Sequence, residues 1–118
     1  MALTTETQLL QVQEAQGFAL NCPSSVISRS LIANTAVNIS VSDLADSNGI
    51  LPTYLNFSGN GNFYVLWNGT GASVPGNISD GTAPELNPSV RKITNGITQF
   101  SIVAPVDMIL TISLYRGN

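Results

Sequence analysis

Histidine is absent from this chain of 118 residues, and cysteine occurs once, as Cys22. Without histidine, neither the Ser-His-Asp nor the Cys-His arrangement of nucleophilic enzymes can be built. A metal site that depends on histidine is excluded for the same reason, and a single cysteine cannot form an internal disulfide. We therefore expect Cys22 to be a small buried apolar side chain, and we expect a protein without enzymatic activity or cofactor.

Charged residues are scarce, at 9% of the chain against about 25% in ordinary domains. Its four basic residues are scattered, apart from one adjacent pair: Arg29, Arg91, Lys92 and Arg116. Nucleic-acid binding needs a basic patch that neutralises phosphates, and a basic amphipathic membrane anchor needs a cationic face. The composition thus predicts no nucleic-acid partner and no membrane partner.

Long apolar runs are also missing. The N-terminus lacks the basic and apolar regions of a signal peptide, and no run approaches the roughly 18 apolar residues of a transmembrane helix. The length predicts one domain. Its first part, "TTETQLLQVQEAQG", differs in composition from the rest, so we divide the chain into an N-terminal arm, residues 1–20, and a domain, residues 21–118. The arm is either a short helix capped by Thr5 and ended by Gly17 or an extended strand.

Alternation of apolar and polar residues dominates the remainder. Val37, Ile39 and Val41 alternate with polar residues in "TAVNISVSDL", as in a half-buried strand. The same period places Leu55 and Phe57 on one face of a second strand. In the last strand the shared face carries Met108, Leu110, Ile112 and Leu114. About seven or eight short strands, with turn signals every 8 to 12 residues, predict an all-β, antiparallel β-sandwich that is jelly-roll-like.

The segment "FYVLW", residues 63–67, is apolar on both faces. Such a strand is central in a sandwich or lies under another chain. Core packing, a subunit interface and ligand stacking all remain open for Trp67. The Gly- and Pro-rich connection that follows is expected to contain one short strand near residues 73–78.

Two carboxylates lie close together in "DLADSNG". Asp43 and Asp46, with the neighbouring Ser and Asn oxygens, offer ligands of the type that calcium prefers. The alternative is a polar turn that ends a strand, and we favour the turn. Asp80, directly before Gly81, is likewise interpreted as a turn residue.

Three segments carry a family resemblance: "LPTYLNFSGNGNFYVLW", "VRKITNGITQFSIVAP" and "MILTISLYRG". Their strand pattern and aromatic placement, over roughly residues 36–116, are similar to small virion proteins of tailed bacteriophages. The resemblance implies a sandwich or jelly roll that is a structural part of the particle, and head decoration (cement) proteins fit best. It implies a homo-oligomer, with a trimer favoured, that is made in the host cytoplasm and binds the major capsid protein or other virion proteins on the capsid surface.

The candidate interface combines apolar residues of the arm with aromatic and apolar residues of the strands. The arm is the element best placed to reach a neighbouring subunit. The interface set is Leu9, Leu10, Val12, Tyr54, Tyr64, Leu66 and Trp67. Two other functions stay open: a carbohydrate-binding module or fibre tip that uses Trp67 and the glycine-rich loops, and a tail or collar component of the same virion.

Overall fold

The computed structural model describes residues 22–94 and 96–116. Within these ranges the chain forms eight strands and one short 3-10 helix, Val41–Leu44. The strands are β1 Ser25–Leu31, β2 Val37–Ser40, β3 Tyr54–Gly59, β4 Tyr64–Trp67, β5 Glu85–Leu86, β6 Val90–Lys92, β7 Gln99–Val103 and β8 Met108–Tyr115. The all-β prediction and the expected number of strands are confirmed. The predicted arm, with Leu9, Leu10 and Val12, lies outside the described residues.

The strands form two antiparallel sheets in the described part of the chain, in the orders β1-β8-β3-β6 and β2-β7-β4-β5. Each sheet contains two pairs from the series 1 with 8, 2 with 7, 3 with 6 and 4 with 5. A long antiparallel ribbon of these four pairs, rolled up so that β8 meets β3 and β7 meets β4, gives this order. It is the strand order of a jelly roll.

The core lies between the sheets and follows the predicted alternation. In β8 the residues Met108, Leu110, Ile112 and Leu114 are buried, and in β3 the residues Leu55 and Phe57 are buried. Their cross-strand partners face inward with them, because side chains of paired residues lie on the same side of a sheet. The period of two in the sequence therefore predicts which side of each of these two strands faces the core.

Three details differ from the sequence-based expectations. Val41 is buried as predicted, but it lies in the 3-10 helix after β2. Residues 73–78 form no strand, and the second partner of β4 is instead the two-residue β5. Cys22 is exposed, because it precedes the first pairing of the sandwich, from Ser24 N–H to the Leu114 carbonyl.

The connections β2–β3, β4–β5 and β6–β7 leave the sandwich at one end. Ser40 at the end of β2 pairs with Gln99, Trp67 at the end of β4 pairs with Phe100, and Lys92 at the end of β6 pairs with Tyr54. The start of β1 and the end of β8 lie there too, since Ser25 pairs with Leu114. We call this the Trp67 end. Over the residues described, no helix has the length and apolar character needed to cross a membrane.

Candidate functional site

The solvent-facing side of the β1-β8-β3-β6 sheet is nearly without charge. Alternation and register place twelve strand residues on it: Val26, Ser28, Ser30, Tyr54, Asn56, Ser58, Val90, Lys92, Ile109, Thr111, Ser113 and Tyr115. Lys92 is the only ionic side chain among them. We call this surface the outer face.

Apolar side chains on the outer face are unusually accessible. Val26 and Ile109 are each 52% exposed, Tyr54 is 40% exposed and Val90 is 37% exposed. They lie on all four strands of the sheet. Tyr54 lies between Tyr115 of β8 and Lys92 of β6, and its place at an interface stays a prediction.

The second apolar face of β4 is partly covered by the chain itself. Leu66 is half-buried beside Gly69, where a Cβ would lie 2.9 Å from the Leu66 Cδ2 atom. Its β7 neighbour Ser101 also points outward but is fully buried. The Ala72 amide donates to the Ser101 Oγ at 2.9 Å, and the Gly71 amide donates to the Asn38 Oδ1 at 3.1 Å.

The β4–β5 connection, residues 68–84, therefore folds back over the outward side of the β2-β7-β4-β5 sheet. This contact accounts for the apolar character of Leu66 without a second subunit. Tyr64, on the same side of β4, is half-buried as well.

Trp67 closes the Trp67 end of the core. Its ring lies edge-on to Phe57, with centroids 5.9 Å apart, and tilted against Phe100 at 5.3 Å. Aromatic pairs in this geometry and range attract one another. The other edge of the indole donates its N–H to the Glu85 Oε1 at 3.0 Å. Core packing is thus one role of Trp67, although the residue remains half-buried.

Glu85 and Arg91 form an ion pair between the two sheets. Glu85 pairs with the buried Val65 and Arg91 with the buried Leu55, so both side chains point inward from edge strands. The Arg91 Nε lies 3.2 Å from both Glu85 oxygens, and its Nη2 also contacts Oε2. Hydrogen bonds from Arg91, and then from Trp67, hold the pKa of the Glu85 carboxyl below its ordinary value, against an opposing effect of burial.

Two hollows lie side by side at the Trp67 end. One, of about 320 Å³, is lined by Trp67, Arg91, Lys92, Ile93, Thr94 and Ile97. The second, of about 330 Å³, is lined by Ser40, Val41, Ser42, Leu51, Ile97, Thr98 and Gln99. Ile97 lines both hollows, and we call the two hollows together the end groove.

Asp46 has a local structural role. The Asp46 Oδ1 accepts hydrogen bonds from the amides of Asn48 and Ile50, both at 2.9 Å. The Ile50 hydrogen bond is the main reason why the pKa of the Asp46 carboxyl is lowered. Among the described residues, no group of three acidic or cysteine side chains could hold a metal ion. The carboxylate of Asp46 thus stabilises a turn, which is the interpretation that the sequence favoured.

Asp80 has a similar local role. Its Oδ1 accepts from the Thr82 amide at 3.1 Å and from the Thr82 hydroxyl at 2.7 Å, while Gly81 adopts a φ of 91°. The predicted turn is confirmed.

Comparison with known proteins gives no relative: no family model, no curated protein and no solved structure matches this chain.

Sequence reasoning missed the Glu85–Arg91 pair and the end groove. The two charges lie six residues apart, on strands of different sheets, so no local periodicity brings them together. A signal was present in retrospect, since each charge occupies an inward position of a very short strand.

Proposed function

We propose that this chain is a non-enzymatic structural protein of a tailed-bacteriophage virion. It binds the head lattice as a decoration or cement protein and stabilises it through protein-protein contacts. Its partner is the major capsid protein or another virion protein, and it acts on the capsid surface as a homo-oligomer, with a trimer favoured.

The observation that carries the proposal is the outer face. Exposed apolar side chains on a regular, nearly uncharged sheet mark a surface that another protein covers. Depletion of charge with aromatic enrichment is the compositional signal of an interface core, and Tyr54 and Tyr115 supply the aromatic part. The jelly roll is compatible with this role, because viral capsid domains use it, but the fold alone does not assign a function.

Cosedimentation with capsid shells of the same virus, assembled without the decoration protein, tests the proposal. We expect the purified chain to pellet with the shells at a fixed ratio. Val26→Asp and Ile109→Asp place a charge on the outer face and should abolish pelleting, since a buried unpaired charge opposes binding strongly. Both residues are half exposed, so the variants should keep the far-UV circular dichroism of the wild type.

Ile78→Asp is the matched control. Ile78 is 41% exposed but lies in the β4–β5 connection, away from the outer face. We expect this variant to pellet like the wild type. Binding that survives both outer-face substitutions, or no binding by the wild type, would contradict the proposal.

Carbohydrate binding is the second candidate, and Trp67 is the observation that favours it. The indole lines the end groove with the Glu85–Arg91 pair beside it, and lectin domains also use jelly rolls. A titration with glycans would then quench the tryptophan emission and saturate. Unchanged emission across a panel of neutral and acidic glycans would remove this candidate.

A further inference from the structure

The end groove is lined by both apolar and polar side chains. Trp67, Ile97 and Leu51 lie along it. Leu51 is 47% exposed, and the adjacent Ile50 is 51% exposed. Ser40, Ser42 and Thr98 surround one lobe, and Lys92 and Thr94 surround the other. This lining suits a short peptide that places apolar side chains on either side of Ile97.

The described chain begins at the same end of the sandwich. Ser24 accepts a hydrogen bond from the Arg116 amide through its Oγ at 3.1 Å. The Arg116 Nε donates to the Ile50 carbonyl at 2.9 Å. Residues 1–21 are therefore attached beside the exposed Ile50 and Leu51.

The reach of that segment is sufficient. Nine residues lie between Val12 and Cys22, and an extended chain covers roughly 33 Å over the ten steps from one Cα atom to the other. The four strands of one sheet span only about 15 Å, at about 4.8 Å between neighbours. A covalent attachment also raises the effective concentration of the segment at the groove to about the millimolar range.

Charge complements the apolar match. Residues 1–21 contain Glu6 and Glu14 and no Lys or Arg. Three of the four basic residues of the chain, Arg91, Lys92 and Arg116, lie at the Trp67 end. Lys92 makes no ion pair within the described part of the chain, so it is available to an acidic segment.

We propose that the end groove is the docking site of the N-terminal segment, residues 1–21. The segment inserts Leu9, Leu10 and Val12 on the two sides of Ile97 and directs Glu6 or Glu14 to Lys92. The peptide makes the same contacts whether it comes from its own chain or, in an oligomer, from a neighbour. Lys92 also belongs to the outer face, but Val26 and Ile109, the residues substituted to test capsid binding, do not line the end groove.

Tryptophan fluorescence of the full chain tests the docking, because Trp67 is the sole tryptophan and lines the groove. In the full-length triple variant Leu9→Ser, Leu10→Ser, Val12→Ser, we expect emission at longer wavelength and a larger acrylamide quenching constant. A synthetic peptide of residues 1–21, added in excess to this variant, should restore both values. When Leu51→Ser is added to the triple variant, a higher concentration of the peptide should be needed to restore the emission wavelength and the quenching constant.

The control variant carries Gln8→Ser, Gln11→Ser and Gln13→Ser in the same segment and should keep the wild-type emission and quenching. Identical spectra for the wild type and the Leu-Leu-Val variant, or a peptide without effect, would overturn the docking. Saturable quenching by a glycan in the wild type would also overturn it, because the groove would then be open to a sugar. The cosedimentation test depends on Val26→Asp and Ile109→Asp, neither of which lines the end groove, so a failure of capsid binding can be told apart from a failure of docking.

Discussion

At the scale of single residues, Asn68 performs two tasks directly after β4. Its backbone has a φ of 60°, which asparagine tolerates better than most residues. Its Oδ1 accepts hydrogen bonds from the Thr98 amide at 3.1 Å and from the Thr98 hydroxyl at 3.2 Å. The side chain thus joins the start of the β4–β5 connection to the β6–β7 connection.

Asn68→Ala should destabilise the protein more than Asn68→Gly. Both lose the hydrogen bonds to Thr98, worth about 1 kcal/mol each in net terms. Alanine also strains the left-handed backbone by about 1 kcal/mol, whereas glycine does not. Urea unfolding of the wild type and the two variants measures the order of their stabilities. A glycine variant less stable than the alanine variant would contradict this explanation.

Glu85 gives the folded state a dependence on pH. The pKa of Glu85 is lowered in the folded protein. The contribution of Glu85 to the free energy of unfolding is therefore complete above the pKa that it has in the unfolded chain. This contribution is lost as the pH falls through the pKa that it has in the folded protein. We expect Glu85→Gln to lower the free energy of unfolding at neutral pH by less than about 1 kcal/mol, since exposed ion pairs contribute little. The difference from the wild type should shrink below about pH 4.

Urea unfolding of the wild type and the Glu85→Gln variant at several pH values measures this effect. The side-chain amide of that variant would retain an acceptor for the Trp67 N–H, so the substitution removes mainly the charge. A difference that grew as the pH fell would mean that Glu85 is not stabilised as an anion.

At the scale of elements, the β4–β5 connection acts as a cover for one sheet. Its attachment depends on Ser101, which is fully buried and accepts from the Ala72 amide. Ser101→Ala should leave that amide without a partner, at a cost of about 1–3 kcal/mol. We expect faster proteolysis within residues 68–84 and a lower urea midpoint. Ser58→Ala, on the exposed outer face, is the control and should change neither.

A charged residue on the edge strand β1 hinders the pairing of this strand with a strand of another molecule. Arg29 pairs with the buried Leu110 and so lies on the inward side of β1, although it is exposed at the edge. An inward-pointing charge on an edge strand discourages the addition of another strand. Arg29→Val should therefore cause association that rises with concentration, seen by light scattering. Ser28→Val, on the opposite side of β1, should associate less; equal association would contradict this role for Arg29.

How far the sequence predicted these elements depends on their periodicity. β3 and β8 were readable because one side of each faces the core and the other faces water, so apolar residues recur with a period of two. β5 was not predicted, because a strand of two residues is too short to show an alternation of apolar and polar residues. The cover over Leu66 joins segments that are distant along the chain, and the Glu85–Arg91 pair joins two very short strands of different sheets, so a local pattern predicts neither contact.

At the scale of the whole molecule, the two sheets differ in what covers them. The β2-β7-β4-β5 sheet is partly covered by residues 68–84, as the buried Ser101 and Val103 show. On the β1-β8-β3-β6 sheet, Val26, Tyr54, Val90 and Ile109 remain open. A low charge content is tolerable in a protein whose open face is buried by assembly, but it disfavours solubility of an isolated monomer.

The mass of the protein in solution shows whether this chain assembles as proposed. It can be measured by light scattering after size-exclusion chromatography of the full chain. We expect a trimer, near three times the chain mass of 12.4 kDa. A species of 12.4 kDa that persists as the protein concentration is raised would contradict the homo-oligomer and favour an independent binding module.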